Sequence, residues 1–130
     1  SNGTGYAVIF NQRDEYGVAS LYANVYDSGL WSGAEPLDAM NSEITVRETY
    51  AIASDGRGYG VVWRQNDTTH GAMLYGSSYR GGAWRHGALS NGKGDVAYCA
   101  IDAGEGWYTP FWLQKDRKDV LVDNVWINRM

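Results

Sequence analysis

The chain has 130 residues, 44% of them apolar and 20% charged, which is the balance of a chain that buries a core. A formal net charge of −4 with scattered Lys and Arg speaks against nucleic acid as a partner, and no apolar run approaches the roughly 18 residues of a membrane span. One cysteine, Cys99, excludes a disulfide framework within the chain, while six Trp, ten Tyr and 17 Gly suit half-buried strands punctuated by turns.

In chain order, the first predicted strand runs from Gly5 to Gln12 and ends in the turn Gln12-Arg13-Asp14. A second strand follows from Ala19 to Asp27, and Trp31 to Leu37 closes the unit. The next predicted strand, Thr49 to Ser54, leads through the turn Ser54-Asp55-Gly56-Arg57-Gly58 into Tyr59-Gly60-Val61-Val62-Trp63-Arg64-Gln65. There one face collects Tyr59, Val61, Trp63 and Gln65 and the other Gly60, Val62 and Arg64, a period of two that belongs to a strand and not to a helix. After Gln65-Asn66-Asp67 come Ala72 to Tyr79 and a closing strand from Trp84 to Leu89. Val96 to Ile101, an apolar run in which Cys99 reads as a buried and inert thiol, opens a third set with Tyr108 to Gln114 and a strand beyond Gln114-Lys115-Asp116. The expectation is ten strands, in groups of three, four and three, and no helix.

These groups are repeats. Shifted by 53 residues, Gly5 to Trp31 lies on Gly58 to Trp84 without a gap, and 11 of 27 positions are identical. Chance gives about two. The shared residues include Tyr6/Tyr59, Val8/Val61, Gln12/Gln65, Asp14/Asp67, Leu21/Leu74, Tyr22/Tyr75, Tyr26/Tyr79 and Trp31/Trp84. A weaker third copy places Tyr108, Trp112, Gln114 and Asp116 on Tyr6, Phe10, Gln12 and Asp14. A turn two residues shorter then aligns Leu121 and Trp126 with Leu21 and Tyr26. Units of about four short strands at this period are the pattern of propeller blades, and such a sheet needs neighbours to bury its faces. The fold expected is all-β: consecutive four-stranded antiparallel propeller-like blades, about two and a half repeats (residues 1–47, 48–94 and 95–130), in one repeat-built domain over 1–130. That number is incomplete as a single closed propeller, so self-association or membership of a longer chain is expected.

The unit Gly-x-[Ala/Gly]-Val-[Ile/Val]-[Phe/Trp]-x-Gln-x-Asp, then Leu-Tyr-x-x-x-Tyr, then Gly-x-Trp, resembles repeats of secreted bacterial proteins of propeller type. More loosely, it is similar to the blades of propeller lectins. The resemblance implies a secreted, periplasmic or cell-surface protein of a bacterium and a binding role. The unit departs from the sialidase Asp-box, since Ser54-Asp55-Gly56 is contiguous with no Thr-Trp after it, and it has neither a Trp-Asp dipeptide nor the apolar run that precedes a kelch double glycine.

No cofactor is expected, because nucleotide and nucleophile fingerprints are absent from the sequence, and no metal, because His70 and His86 lack ligand spacing. The cluster Asp116, Asp119 and Asp123 reads as a solvated turn. In the Gln-x-Asp triplets the Asp is expected to fold back on its own turn, the alternative being a repeated polar rim for a ligand. Trp31 and Trp84 read either as packing residues or as ring platforms for the C–H face of a sugar. Arg85 and His86 beside Trp84, with Arg64 and Gln65, complete the candidate ligand-binding set. The functional expectation is a non-catalytic module that recognises carbohydrate or another surface partner. The alternatives are a piece of a sialidase-like propeller glycosidase and a purely structural repeat.

Overall fold

The computed structural model describes residues 1–38, 49–67, 69–115, 123–127 and 130, and among them every regular element is a strand. Three antiparallel sheets form in chain order. The first comprises β1 (Tyr6–Arg13), β2 (Ala19–Asp27), β3 (Leu30–Trp31) and β4 (Glu35–Pro36), with β2 pairing all three others. The second is β5 (Tyr50–Ser54), β6 (Tyr59–Asp67), β7 (Gly71–Arg80) and β8 (Ala83–Ala88), each beside the next. The third has β10 (Trp107–Lys115) between β9 (Val96–Gly104) and β11 (Asp123–Ile127).

The repeat is a repeat of geometry. Tyr6 pairs with Tyr26 and Tyr26 with Trp31; Tyr59 pairs with Tyr79 and Tyr79 with Trp84. The ring centroids agree within each set: 6.2 Å for Tyr6–Tyr26 and for Tyr59–Tyr79, then 5.3 Å for Tyr26–Trp31 and 5.1 Å for Tyr79–Trp84. Phe10 on Tyr22 and Trp63 on Tyr75 stack at 5.8 and 6.0 Å. Two-residue turns with positive φ join the outer hairpins, at Ser28-Gly29 (51° and 88°), Gly81-Gly82 (60° and 84°) and Glu105-Gly106 (43° and 87°). Such turns match the right-handed twist of the strands they connect. Gly81-Gly82 is therefore hairpin chemistry.

Two departures from the expected pattern have local causes. The closing strand of the first unit is split into β3 and β4, which makes eleven strands among the described residues where ten are expected. Tyr26 pairs with Trp31 but Tyr22 pairs with Pro36, so one extra residue lies between, where Gly33 takes a φ of 95°. That is a β-bulge, and β8 has none, since Tyr79 pairs with Trp84 and Tyr75 with Ala88. In the third unit, Trp126 pairs with Trp112, and the N–H and C=O of Met130 exchange hydrogen bonds with those of Tyr108. Trp126 thus stands at the place of Tyr22 and Tyr75, and Met130 at that of Tyr26 and Tyr79. The alignment of Trp126 with Tyr26 is corrected by four residues, and the turn after Gln114 is two residues longer than its counterparts, not two shorter.

The sheets stack. Ile9, Leu21, Ala23 and Leu37 of the first pack against Tyr50, Val61, Trp63, Tyr75 and Trp84 of the second. The other face of the second sheet, Ala51, Val62, Leu74 and Leu89, packs against Val96, Cys99, Ile101, Trp112 and Met130. Val61 and Val62, adjacent in sequence and wholly buried, face opposite neighbours, as alternation along a strand requires. The middle sheet is therefore covered on both faces, which is why β6 is apolar on both.

In the Gln-x-Asp triplets, Asp14, Gln65 and Gln114 serve the structure. Asp14 Oδ1 accepts from the N–H of Tyr16 and of Val18 at 2.9 and 2.8 Å, closing its own turn. Gln65 Oε1 accepts from the indole N–H of Trp63, and Gln114 Oε1 from that of Trp112, both at 3.0 Å and both buried. Gln12 lies on the outer face of the first sheet with Phe10 and is exposed, and Phe10 has no N–H for it to accept. Asp116 and Asp119 lie outside the described residues. Cys99 is buried, and burial pushes its thiol up to about 11, as expected of an inert cysteine.

Candidate functional site

A cavity of about 400 Å³ lies between the first two sheets. Leu37 and Asp38, just beyond β4, form one wall; Trp63, Gln65, Met73 and Tyr75 from the middle of the second sheet form the other. His70, in the turn before β7, and His86, on β8, stand at its margin. Rings and aliphatic groups make most of the surface, with a few polar groups converging, which is the general character of small-molecule sites.

Asp38 is the unusual member. It is 8% exposed, and neither carboxylate oxygen has a hydrogen-bond partner among the described residues. Its counterpart in the second unit is Ser90. Leu37 N–H donates to the Leu21 carbonyl as Leu89 N–H donates to that of Leu74, both at 2.8 Å. Ser90 Oγ then accepts from Leu74 N–H at 2.9 Å. Asp38 puts a carboxylate where the second unit has a satisfied hydroxyl. Burial raises its pKa; its own N–H, that of Leu21 and the Ser20 hydroxyl lie close enough to oppose the shift without making a bond of good geometry. An unpaired buried carboxylate costs several kcal/mol. A ligand that brings a hydrogen-bond donor relieves that cost.

The structure divides the residues singled out by sequence. Gln65 and His86 line the cavity. Trp84 shares their face of the sheet but packs on Tyr79 and into the core between the sheets, which is the packing role. Arg85 alternates to the opposite face of β8, so it does not lie beside the Trp84 ring. Arg64 also faces the third sheet, where its Nε donates to the Val96 carbonyl at 2.6 Å. Trp31 stands on the outer face of the first sheet, 51% exposed, one whole sheet away from Trp84.

Asp38, His70 and Met73 enter only through the structure. Asp38 had a weak signal, since it ends the unit just after the apolar residue that closes it. An ungapped shift of 53 sets it against Asn91, however, and the bulge at Gly33 moves the true match to Ser90. Comparison with protein-family models, with characterised proteins and with solved structures finds no match to this chain.

Proposed function

We propose that this chain is a non-catalytic binding module built of propeller-type stacked sheets, and that it recognises carbohydrate in the cavity between its first two sheets. The observation that carries the reading is the buried Asp38 carboxylate, unbonded among the described residues and lining a cavity walled by Trp63 and Tyr75. A sugar presents hydroxyl donors for a carboxylate and an apolar C–H face for rings. Gln65 and His86 supply further polar atoms on the same side of the second sheet. Among the described residues the lining offers one carboxylate, whereas hydrolysis of a glycosidic bond takes two, roughly 5 to 10 Å apart. These side chains therefore suit binding better than cleavage. The likeness of the repeat to propeller proteins of bacterial surfaces supports a secreted or surface location. No described helix is long and apolar enough to cross a membrane.

A panel of neutral mono- and disaccharides, screened by titration calorimetry, tests the proposal. His86 is exposed and its replacement by Ala leaves the core intact, so H86A weakens binding of the best sugar about fivefold, the loss of one hydrogen bond of about 1 kcal/mol. D38N weakens it similarly, because the amide is a poorer acceptor. If no sugar in the panel binds, or if both variants bind as well as the parent, the reading is wrong.

A further inference from the structure

One large apolar surface takes no part in the cavity. The outer face of the first sheet carries Tyr6, Val8, Phe10, Tyr22, Tyr26 and Trp31, and Tyr6 and Val8 are 59% and 44% exposed. Their counterparts in the second unit are Tyr59, Val61, Trp63, Tyr75, Tyr79 and Trp84, of which the first three are at most 1% exposed. What covers the second set is visible. It is the first sheet, through Ile9, Leu21, Ala23 and Leu37. With ring pairs at the same separations, Tyr6, Val8 and Trp31 are thus exposed at positions whose counterparts Tyr59 and Val61 are buried and Trp84 half-buried within the same chain. The bare copy is already shaped for a sheet face of the kind that covers the buried copy.

The chain also displays that covering face a third time. Ile9 of β1 and Val62 of β6 each point toward the following sheet, and Phe111 of β10 occupies the equivalent place. Phe111 and Leu113 are only half-buried there, and Tyr98, paired with Leu113 on the same face, is 59% exposed. Among the described residues nothing covers these two faces of the stack, and they are the two halves of an interface that the chain makes twice internally.

We propose that two copies of this chain associate head to tail, the outer face of one copy's third sheet covering Tyr6, Val8 and Trp31 of the other. The proposal rests on the propeller-type stacking argued above. Heterologous contacts either close into a ring or run on as filaments. Each chain brings three sheets, and rings of stacked sheets close at four to eight. Two copies give six sheets, inside that range; three copies give nine, outside it.

Light scattering on the 130-residue chain, with two aspartate substitutions at equivalent positions, is the test. The parent should weigh twice the 14.4 kDa of a single chain, independent of concentration above the micromolar range. V8D, on the bare face, should weigh 14.4 kDa with an unchanged circular dichroism spectrum. Its sugar binding should persist, since the cavity lies within one chain. V61D, at the position already covered within the chain, should fail to fold. A parent that is monomeric at 100 µM, or a V8D variant that remains dimeric, overturns the docking. So does a series of species that grows with concentration, because it means the contact does not close. A well-folded V61D overturns something earlier, the stacking of the first two sheets, and so separates failure of the premise from failure of the docking.

Discussion

Between the second and third sheets, Tyr108 Oη donates to Asp55 Oδ1 at 3.2 Å, and Arg80 bonds the other oxygen of the same carboxylate. Arg80 also donates to the Gly106 carbonyl and lies over the Tyr108 ring, 5.6 Å from its centroid. Between the first and second sheets the equivalent residues are Tyr59, Asn2 and Asp27. There the Asn2 N–H lies close to the buried Tyr59 hydroxyl without making a bond of good geometry, and no side chain among the described residues bonds it. Apolar contacts hold both interfaces, yet among the described residues the side-chain latch of carboxylate, guanidinium and hydroxyl is made only across the second. The cavity and the unbonded Asp38 belong to the interface without the latch. The interface with the latch is closed, and the cavity lies at the one where the described residues make no such latch.

Breaking the latch should give the largest effect. The Asp55 side chain is fully buried, and besides Tyr108 and Arg80 it accepts from the N–H groups of Arg57 and Gly58 at 3.0 and 2.9 Å. D55A removes the acceptor of the Tyr108 hydroxyl and the Gly58 N–H and should cost about 3 kcal/mol in urea denaturation, a figure discounted because Arg80 keeps the Gly106 carbonyl and is partly exposed to water. D55N should cost about 1 kcal/mol, because Asn2 shows that an amide serves the turn, accepting from Thr4 and Gly5 N–H at 3.2 and 2.7 Å. Equal losses for the two variants would mean that the turn, and not the latch, carries the energy.

The two carboxylates also set opposite pH dependences. Burial works against the charge on Asp55, but the Arg57 N–H, the Arg80 guanidinium and the Tyr108 hydroxyl outweigh it and hold its pKa below 3.8. Its stabilisation is complete above 3.8 and drains as the pH falls toward the folded value. Asp38 has its pKa raised from 3.8 by burial, so the folded chain keeps a proton that the unfolded chain has lost. Stability then declines as the pH climbs from 3.8 to the folded value. D55N should flatten the acid limb of a stability–pH curve, and D38N should abolish the decline above it. A curve whose limbs respond to the wrong variant would refute the assignment of either carboxylate.

A smaller effect separates the three glutamines. Gln114 answers the Trp112 indole and also donates to Asn91 Oδ1 at 3.0 Å; Gln65 answers the Trp63 indole; Gln12 faces solvent. Replacement by Leu should cost about 2 kcal/mol at 114 and at 65 and under about 0.5 at 12, the penalties of orphaned buried donors against an exposed site. Thermal denaturation of the three variants would rank them. Equal losses at all three would show that the residue serves the strand and not the indole.

These contrasts mark what the chain announces in its residues. The first two units are legible because face alternation and turn chemistry are local: Tyr6/Tyr59 and Asp14/Asp67 repeat wherever the hairpin repeats. The third unit misleads because Trp126 can stand for either Tyr22 or Tyr26 on residue type, and only pairing with Trp112 decides. The bulge at Gly33 escapes notice because one inserted residue breaks no pattern of composition. The cavity is a property of two sheets laid together, so Asp38, His70 and Met73 carry no shared motif. The same stacking sends Arg64 and Arg85 away from the ring they adjoin in sequence, which neighbouring positions on a strand always do.

The most delicate test is to build the missing latch. N2D supplies the carboxylate that Asp55 supplies one unit later, and D27R supplies the guanidinium of Arg80. Together they should give the Tyr59 hydroxyl a charged acceptor and that acceptor a cation. The gain should be under about 1 kcal/mol, since Asn2 is half-buried and Asp27 exposed, and an exposed pair adds little beyond one satisfied hydroxyl. Its sign is more informative than its size. N2D alone brings a second carboxylate near Asp27 and should be neutral or slightly destabilising; D27R alone has only an amide to meet. A double-mutant cycle in urea should therefore return favourable coupling of roughly 0.5 kcal/mol or more, which disappears when Tyr59 is replaced by Phe. Coupling that survives Y59F would be a plain surface attraction between residues 2 and 27. Zero coupling would mean that the two interfaces, alike in their apolar contacts, place their polar residues differently.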